Sequence, residues 1–257
     1  MTQGKSLQST RVSVLGVGIN PLSETAALTQ VTAWHEPSRG RYIATVNAEI
    51  VMRAQTDAAL AAALDEADMV LPDGAGVVWA GEVLGTPFPE RVAGIDFMTA
   101  LLARAAKRGE RVYFLGGKPG VTHAAATKLT QSLPGLDVAG TRDGYFQEED
   151  VPEILADIRR SGARYLFLGL GAPKQECWAQ QHRAALAGVT AVCVGGSFDV
   201  LAGHLQRAPL WMQRHRLEWL YRVYKQPSRW RRMTLLPQFM YAVRREAGRR
   251  RKNRRGG

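Results

Sequence analysis

Short β-rich runs alternate with Ala- and Leu-rich stretches of helical length from residue 12 to about residue 206, and this alternation restricts the chain to few folds. The runs are Val12–Val17, Tyr42–Val46, Met69–Leu71, Val112–Leu115, Val138–Thr141, Tyr165–Leu168 and Val189–Val194. Between them lie Ala58–Ala67, Phe97–Lys107, Thr122–Leu133, Val151–Arg160 and Glu176–Ala187. Strands joined through a helix pair in parallel, so the pattern predicts an α/β fold with a mostly parallel sheet and helices on both faces. Several runs end in glycine turns: Gly116-Gly117, Gly169-Leu170-Gly171 and Gly195-Gly196. In such sheets ligands bind beyond the carboxyl ends of the strands, where these turns would sit.

After Ala208-Pro209 the pattern changes. Leu210, Leu217, Leu220 and Tyr224 recur at helical spacing, and Pro227 separates a second amphipathic stretch. The charge changes with it. Residues 207–257 hold 16 of the 34 Lys and Arg and only two acids, Glu218 and Glu246, a net of +14 against −3 for residues 1–206. Trp211, Trp219, Tyr221, Tyr224, Trp230, Phe239 and Tyr241 lie among these cations. Rings among cations suit a membrane interface with anionic lipid, or a nucleic acid whose bases stack and whose phosphates are neutralised. The run RREAGRRRKNRRGG from Arg244 repels itself and reads as disordered. The expected organisation is a disordered 1–10, an α/β domain at 11–206, a helical basic appendage at 207–245 and a basic disordered tail at 246–257. Residues 1–9 contain no apolar stretch of signal-peptide type, and Met233–Val243 is broken by Pro237, so neither a leader nor a membrane span is expected. Cys177 and Cys193 read as reduced core thiols of a cytoplasmic protein.

Candidate chemistry is local and sparse. Asp65-Glu66-Ala67-Asp68 spells a helicase tetrapeptide, but no G-x-x-x-x-G-K-[ST] phosphate loop accompanies it, so it reads as the end of a solvated helix. Gly169-Leu170-Gly171-Ala172-Pro173-Lys174-Gln175-Glu176 follows a strand and opens a helix, an arrangement that suits a phosphate or an ordinary turn. Asp73, in Leu71-Pro72-Asp73-Gly74, reads either as a turn residue capping the next helix or as a general base at a strand end. Asn47 likewise ends a strand or caps a helix, and Arg91 reads as an ordinary surface cation. The five histidines have no ligand spacing, and there is no HExxH, paired-Cys or G-x-S-x-G pattern, so no metal site is expected. The lack of G-x-G-x-x-G counts against a nicotinamide-dependent epimerase or dehydrogenase.

Taken in order, T-V-N-A-E (45–49), L-P-D-G-A-G (71–76), E-R-V-A-G-I-D (90–96), F-L-G-G (114–117), D-G-Y-F (143–146), G-L-G-A-P-K-Q-E (169–176), G-G-S-F-D-V-L-A-G (195–203), R-A-P (207–209) and L-E-W-L-Y-R (217–222) resemble the WecG/TagA/CpsF glycosyltransferases, glycosyltransferase family 26. Ala172 and Val200 depart from the residues frequent at those places in the family. The resemblance implies a Rossmann-like, inverting enzyme without a cofactor. It would move a sugar, N-acetylmannosamine in the best-known branch, from a UDP donor to N-acetylglucosaminyl-diphospho-undecaprenol for wall teichoic acid. Related members transfer N-acetylmannosaminuronic acid or glucose. Asp73 maps onto the family's catalytic aspartate, and Thr45, Asn47, Arg91 and Gln175 onto its active-site polar residues. Asp199 is a less certain neighbour of the donor. Arg222, Arg229 and Arg232 map onto appendage arginines that complete the site at the inner face of the membrane. An anionic membrane surface, not nucleic acid, is then the partner of the basic end. Guanidiniums can stabilise a departing diphosphate where metal ligands are lacking.

Overall fold

The computed structural model describes residues 11–34, 37–209, 211–212, 218–225 and 235–255, without the side chains of residues 218, 219, 222, 223, 254 and 255. Six strands form one all-parallel sheet: β3 (Arg41–Val46), β4 (Met69–Pro72), β5 (Val112–Gly116), β6 (Val138–Arg142), β7 (Tyr165–Gly169) and β8 (Thr190–Cys193), ordered β4-β3-β8-β7-β5-β6. The inner strands are apolar and buried on both faces, as parallel strands under two helix layers must be. Tyr42, Ala44, Val46, Leu166 and Leu168 face one half of the core, and Ile43, Tyr165 and Phe167 the other.

The helices divide between these halves. The first half takes α2 (Ala48–Ala54), α3 (Ala58–Glu66), α4 (Ala75–Leu84), α7 (Val151–Arg160) and α8 (Lys174–Gln181). The second takes α1 (Glu24–Thr32), α5 (Gly94–Arg108), α6 (Val121–Ser132) and α9 (Ser197–Leu201). Ser23, Asn47 and Asp57 start α1, α2 and α3 by accepting from Ala26, Ile50 and Leu60 N–H groups. The chain therefore leaves β5 toward one face through α6 and leaves the neighbouring β7 toward the other through α8. In sheets of this kind ligands bind beyond the carboxyl ends of strands whose connections diverge in this way.

The run at Val12–Val17 is not a strand of this sheet. It folds as an antiparallel hairpin, β1 (Val12–Val14) and β2 (Val17–Ile19), turning at Leu15 and Gly16, both with positive φ. Two residues of that conformation match the twist of a tight hairpin. Just after it, Asn20 N–H donates to Val70 C=O and Asn20 Oδ1 accepts from Val70 N–H, both at 2.8 Å, which covers the outer edge of β4.

Asp68 also departs from the sequence expectation of a solvated helix end. It is 8% exposed and sits at the amino edge of the sheet. Arg183 grips both its oxygens at 2.7 and 2.8 Å, Arg39 pairs with it, and Tyr42 N–H donates to it at 3.1 Å. A carboxylate withdrawn from water needs such partners, and this one ties three segments together.

Among the described residues that follow the α/β unit are the helices α10 (Glu218–Lys225) and α11 (Leu235–Arg255). α11 runs through residue 246, where the sequence reading begins a disordered tail. Phe239, Val243 and Ala247 recur every four residues and are buried with α4, α2 and the hairpin. Glu246 Oε2 accepts from Leu15 N–H at 3.1 Å, and Arg250 donates to Ser13 C=O at 2.8 Å. An i,i+4 pair between Glu246 and Arg250 offsets part of the repulsion along the run. No helix among the described residues is long and apolar enough to cross a membrane.

Candidate active site

Asp73 follows β4, and its backbone N–H is fixed to Val46 C=O at 2.8 Å. It does not cap α4, where Gly74 is the N-cap and no side chain closes the helix start. Its Oδ2 instead accepts from Gly94 N–H at 3.3 Å, at the first turn of α5. An unpaired helix N–H and the positive end of the helix dipole favour a charged carboxylate there. A side chain on Gly94 would stand 3.2 Å from Thr45 Oγ1 and 3.6 Å from Asp73 Oδ2, so glycine lets these two groups share one helix start. Thr45 is buried and donates to Cys193 C=O at 3.4 Å.

Asn47 borders the same turn, since a side chain on Gly74 would meet its Cβ at 3.4 Å. Its Oδ1 accepts from Ile50 N–H at 3.0 Å as the α2 cap, which leaves the Nδ2 hydrogens for a further acceptor. Arg91 is half-buried, next to Val92, whose N–H donates to Pro72 C=O at 2.9 Å. Thr45, Asn47 and Asp73 thus come together over β3 and β4, with the backbone beside Arg91 running alongside.

Gln175 lies across β8, on α8. It is 3% exposed and its Oε1 accepts from Gly195 N–H at 3.0 Å. Helix α8 starts at Lys174, two positions before the expected Glu176, with Pro173 as its N-cap. The loops of β5, β7 and β8 meet backbone to backbone. A side chain on Gly116 would lie 2.5 Å from the Gly169 carbonyl carbon, and one on Gly169 would lie 2.5 Å from the Phe198 ring. Asp199 is half-buried on α9, its Oδ2 3.8 Å from where a side chain on Gly196 would begin. Neighbouring parallel strands are about 4.8 Å apart. One ligand lying across β4, β3, β8 and β7 could therefore reach both groups of residues.

Arg222 lies on α10, with its side chain outside the described residues, and Arg229 and Arg232 lie outside them altogether. Among the described residues no group of three or more His, Cys, Asp or Glu is arranged to hold a metal ion. Both cysteines are free thiols, and burial raises the pKa of Cys193 well above the usual thiol value.

Three features escaped the sequence reading although its motif blocks contain them. Asp96 and Arg207 form a two-pronged pair, Nη1–Oδ1 at 2.5 Å and Nη2–Oδ2 at 2.7 Å, joining the first turn of α5 to the start of the basic region. Tyr145 is 70% exposed on the loop after β6. That loop is held over the ends of β5 and β7 by Gly144 N–H to Gly117 C=O at 2.9 Å and by Lys174, which lies 4.6 Å from the Phe146 ring. The third feature is Glu176, fully buried beside Gln175. An acid after a lysine and a glutamine at a helix start gives no local sign of burial, and a residue pair 111 positions apart gives no local sign of contact.

A sequence model described as the glycosyl transferase WecG/TagA/CpsF family matches residues 12–253. Among curated proteins, the N-acetylglucosaminyldiphosphoundecaprenol N-acetyl-beta-D-mannosaminyltransferase of Bacillus spizizenii is 37% identical over 212 residues, 82% of each chain. The protein of the same name from Bacillus subtilis is 35% identical over 207 residues, 80% of each chain.

Proposed function

Because this chain belongs to the WecG/TagA/CpsF family of glycosyl transferases, we propose that it moves N-acetylmannosamine from UDP-N-acetylmannosamine to N-acetylglucosaminyl-diphospho-undecaprenol at the inner face of the cell membrane. The names of its Bacillus relatives support this sugar and this acceptor. The observation that carries the mechanism is the Asp73 carboxylate, which is not used as a cap for α4 and is held at the α5 start beside Thr45.

In this reading the donor lies across the strand ends, with its diphosphate toward the β7 and β8 loops. Tyr145 offers an exposed ring on which a nucleobase can stack. The acceptor hydroxyl attacks the anomeric carbon of the donor sugar while Asp73 takes the hydroxyl proton. The carbon–oxygen bond to the diphosphate breaks, UDP leaves with the bonding pair, and the single displacement inverts the anomeric centre to a β-1,4 link. Thr45, Asn47 and Arg91 orient the sugar and its acceptor near Asp73. Arg222, Arg229 and Arg232 supply positive charge to the leaving diphosphate, and the basic, aromatic end meets the anionic lipid surface.

The test is turnover of UDP-N-acetylmannosamine with a short-chain lipid-linked acceptor, in wild type and Asp73→Asn, with and without EDTA. Turnover should persist in EDTA and fall by about 10²–10⁴-fold in the variant. UDP binding and melting temperature should hardly change. No transfer by the wild type, or full transfer by the variant, would remove the reading.

A further inference from the structure

Glu176 has no part in that mechanism, yet no other Asp or Glu among the described residues is as deeply buried. Its Oε1 accepts from Gln175 Nε2 at 2.8 Å, while Gln175 Oε1 accepts from Gly195 N–H at 3.0 Å. Its Oε2 is buried without a hydrogen-bond partner among the described residues. Burial of an acid on so little hydrogen bonding is costly and calls for a compensating role.

The arrangement has a direction. A glutamine side chain can present either its oxygen or its nitrogen to a neighbour. Gly195 N–H requires the oxygen, and an acceptor at the far end, Glu176 Oε1, selects that orientation. Gly169 leaves no slack between the two loops, because a side chain there would also stand 2.9 Å from Gly195 C=O. The relay Glu176–Gln175–Gly195 therefore crosses between the loop that opens α8 and the turn that follows β8.

We propose that Glu176 is a positioning residue for the donor site, orienting the Gln175 amide so that the Gly169–Lys174 loop and the Gly195–Gly196 turn are held in the one register that accepts the diphosphate of a nucleotide sugar. The inference rests on the donor reading above. It makes Gln175 a clamp between loops, in keeping with its near-complete burial, and Glu176 the residue that sets the clamp.

UDP titrated calorimetrically into the full chain tests this without turnover, using Glu176→Met, Glu176→Gln and Gln175→Met. Methionine fills the space but accepts no hydrogen bond; glutamine keeps an acceptor oxygen. Misplacing substrate-positioning groups by about 1 Å can cost about 100-fold in rate. Glu176→Met should weaken UDP binding by about 10-fold or more and raise donor KM while acceptor KM stays unchanged. Gln175→Met should do the same from the other end, and Glu176→Gln should bind as wild type does. Amide hydrogen exchange over residues 195–201 should quicken in the two methionine variants alone, and this readout needs only folded protein. Wild-type UDP affinity in Glu176→Met, or equal damage in Glu176→Gln, would overturn the inference. Failure of the wild type itself to bind UDP would instead bring down the donor reading and this inference with it.

Discussion

At residue scale the buried Glu176 has a second, thermodynamic signature. Burial raises its pKa above the ordinary 4.5, while the hydrogen bond from Gln175 and the charge of Arg53 pull the other way. Between 4.5 and the folded value, the unfolded chain has released this proton and the folded chain still holds it. Raising the pH therefore favours unfolding. The contribution to stability is complete below 4.5 and is lost as pH rises through the folded value. Glu176→Gln cannot titrate, so its melting temperature should match wild type near the ordinary 4.5 and exceed it as pH rises toward the folded value. Parallel melting curves across that range would mean the carboxyl is ionised in the fold. None of this could be read from the sequence, because burial of a charged residue at a helix start depends on what the next strand brings over it. Asp73 shows the same limit. Pro-Asp-Gly predicts a cap from local pattern, and the partner that claims the carboxylate, Gly94, comes from 21 residues downstream. What the sequence could carry was residue type at strand ends: Thr45, Asn47 and Asp73 lie at the ends of β3 and β4, where the alternation places them, and Gln175 lies just inside α8 after β7.

At element scale the inner sheet strands were legible because parallel strands buried on both faces are continuous apolar runs, and all six strands, the half-buried edge strand β6 included, lie within about a residue or two of their expected bounds. The hairpin was not. Its Leu15-Gly16 turn has no Asn or Asp, so Val12–Val17 looks like one unbroken strand. The helix that matters most to the site is α5, since its first residue holds Asp73 and its third, Asp96, is gripped by Arg207. Glu24 and Glu90 are close enough to this turn that burial, Asp96 and Glu90, in that order, raise the pKa of Glu24. Arg207 thus answers a local excess of negative charge as well as a geometric need. Two-pronged arginine–carboxylate pairs fix orientation along with distance. Arg207→Ala and Asp96→Ala should each lower turnover several-fold on a soluble acceptor, and the double variant should be little worse than either. The exchanged pair Asp96→Arg with Arg207→Asp should recover part of the loss. Fully additive losses would show that the pair does not act as a unit.

At the scale of the whole molecule, the charge asymmetry that dominates the sequence resolves into a helix with two jobs on two faces. One face of α11 is structural: Phe239, Val243 and Ala247 are buried, Glu246 caps the hairpin turn, and Arg250 reaches Ser13. Exposed Arg245, Arg249 and Lys252 lie on the other, with Tyr241 70% exposed, and exposed Arg251 follows beyond the end of the buried stripe. A dense basic run reads as disordered from composition alone, because self-repulsion is visible in the sequence and the apolar stripe every four residues is diluted by it. The two faces should separate by mutation. Val243→Ala with Ala247→Ser removes buried methyl groups and adds a buried hydroxyl, and should cost about 2–4 kcal/mol of stability. It should leave the salt dependence of liposome binding intact for the protein that remains folded. Changing Arg245, Arg249, Arg251 and Lys252 to Gln should leave the melting temperature nearly unchanged. Each cation close to an anionic surface is worth about 1 kcal/mol and fades within a Debye length. The fourfold change should therefore weaken binding to anionic vesicles by several kcal/mol at low salt and much less at high salt, with turnover on a short-chain soluble acceptor preserved. Vesicle flotation and thermal melts on the same preparations decide it. If the core variant lost vesicle binding while folded, or the charge variant lost its fold, α11 would not divide into a docking face and a membrane face.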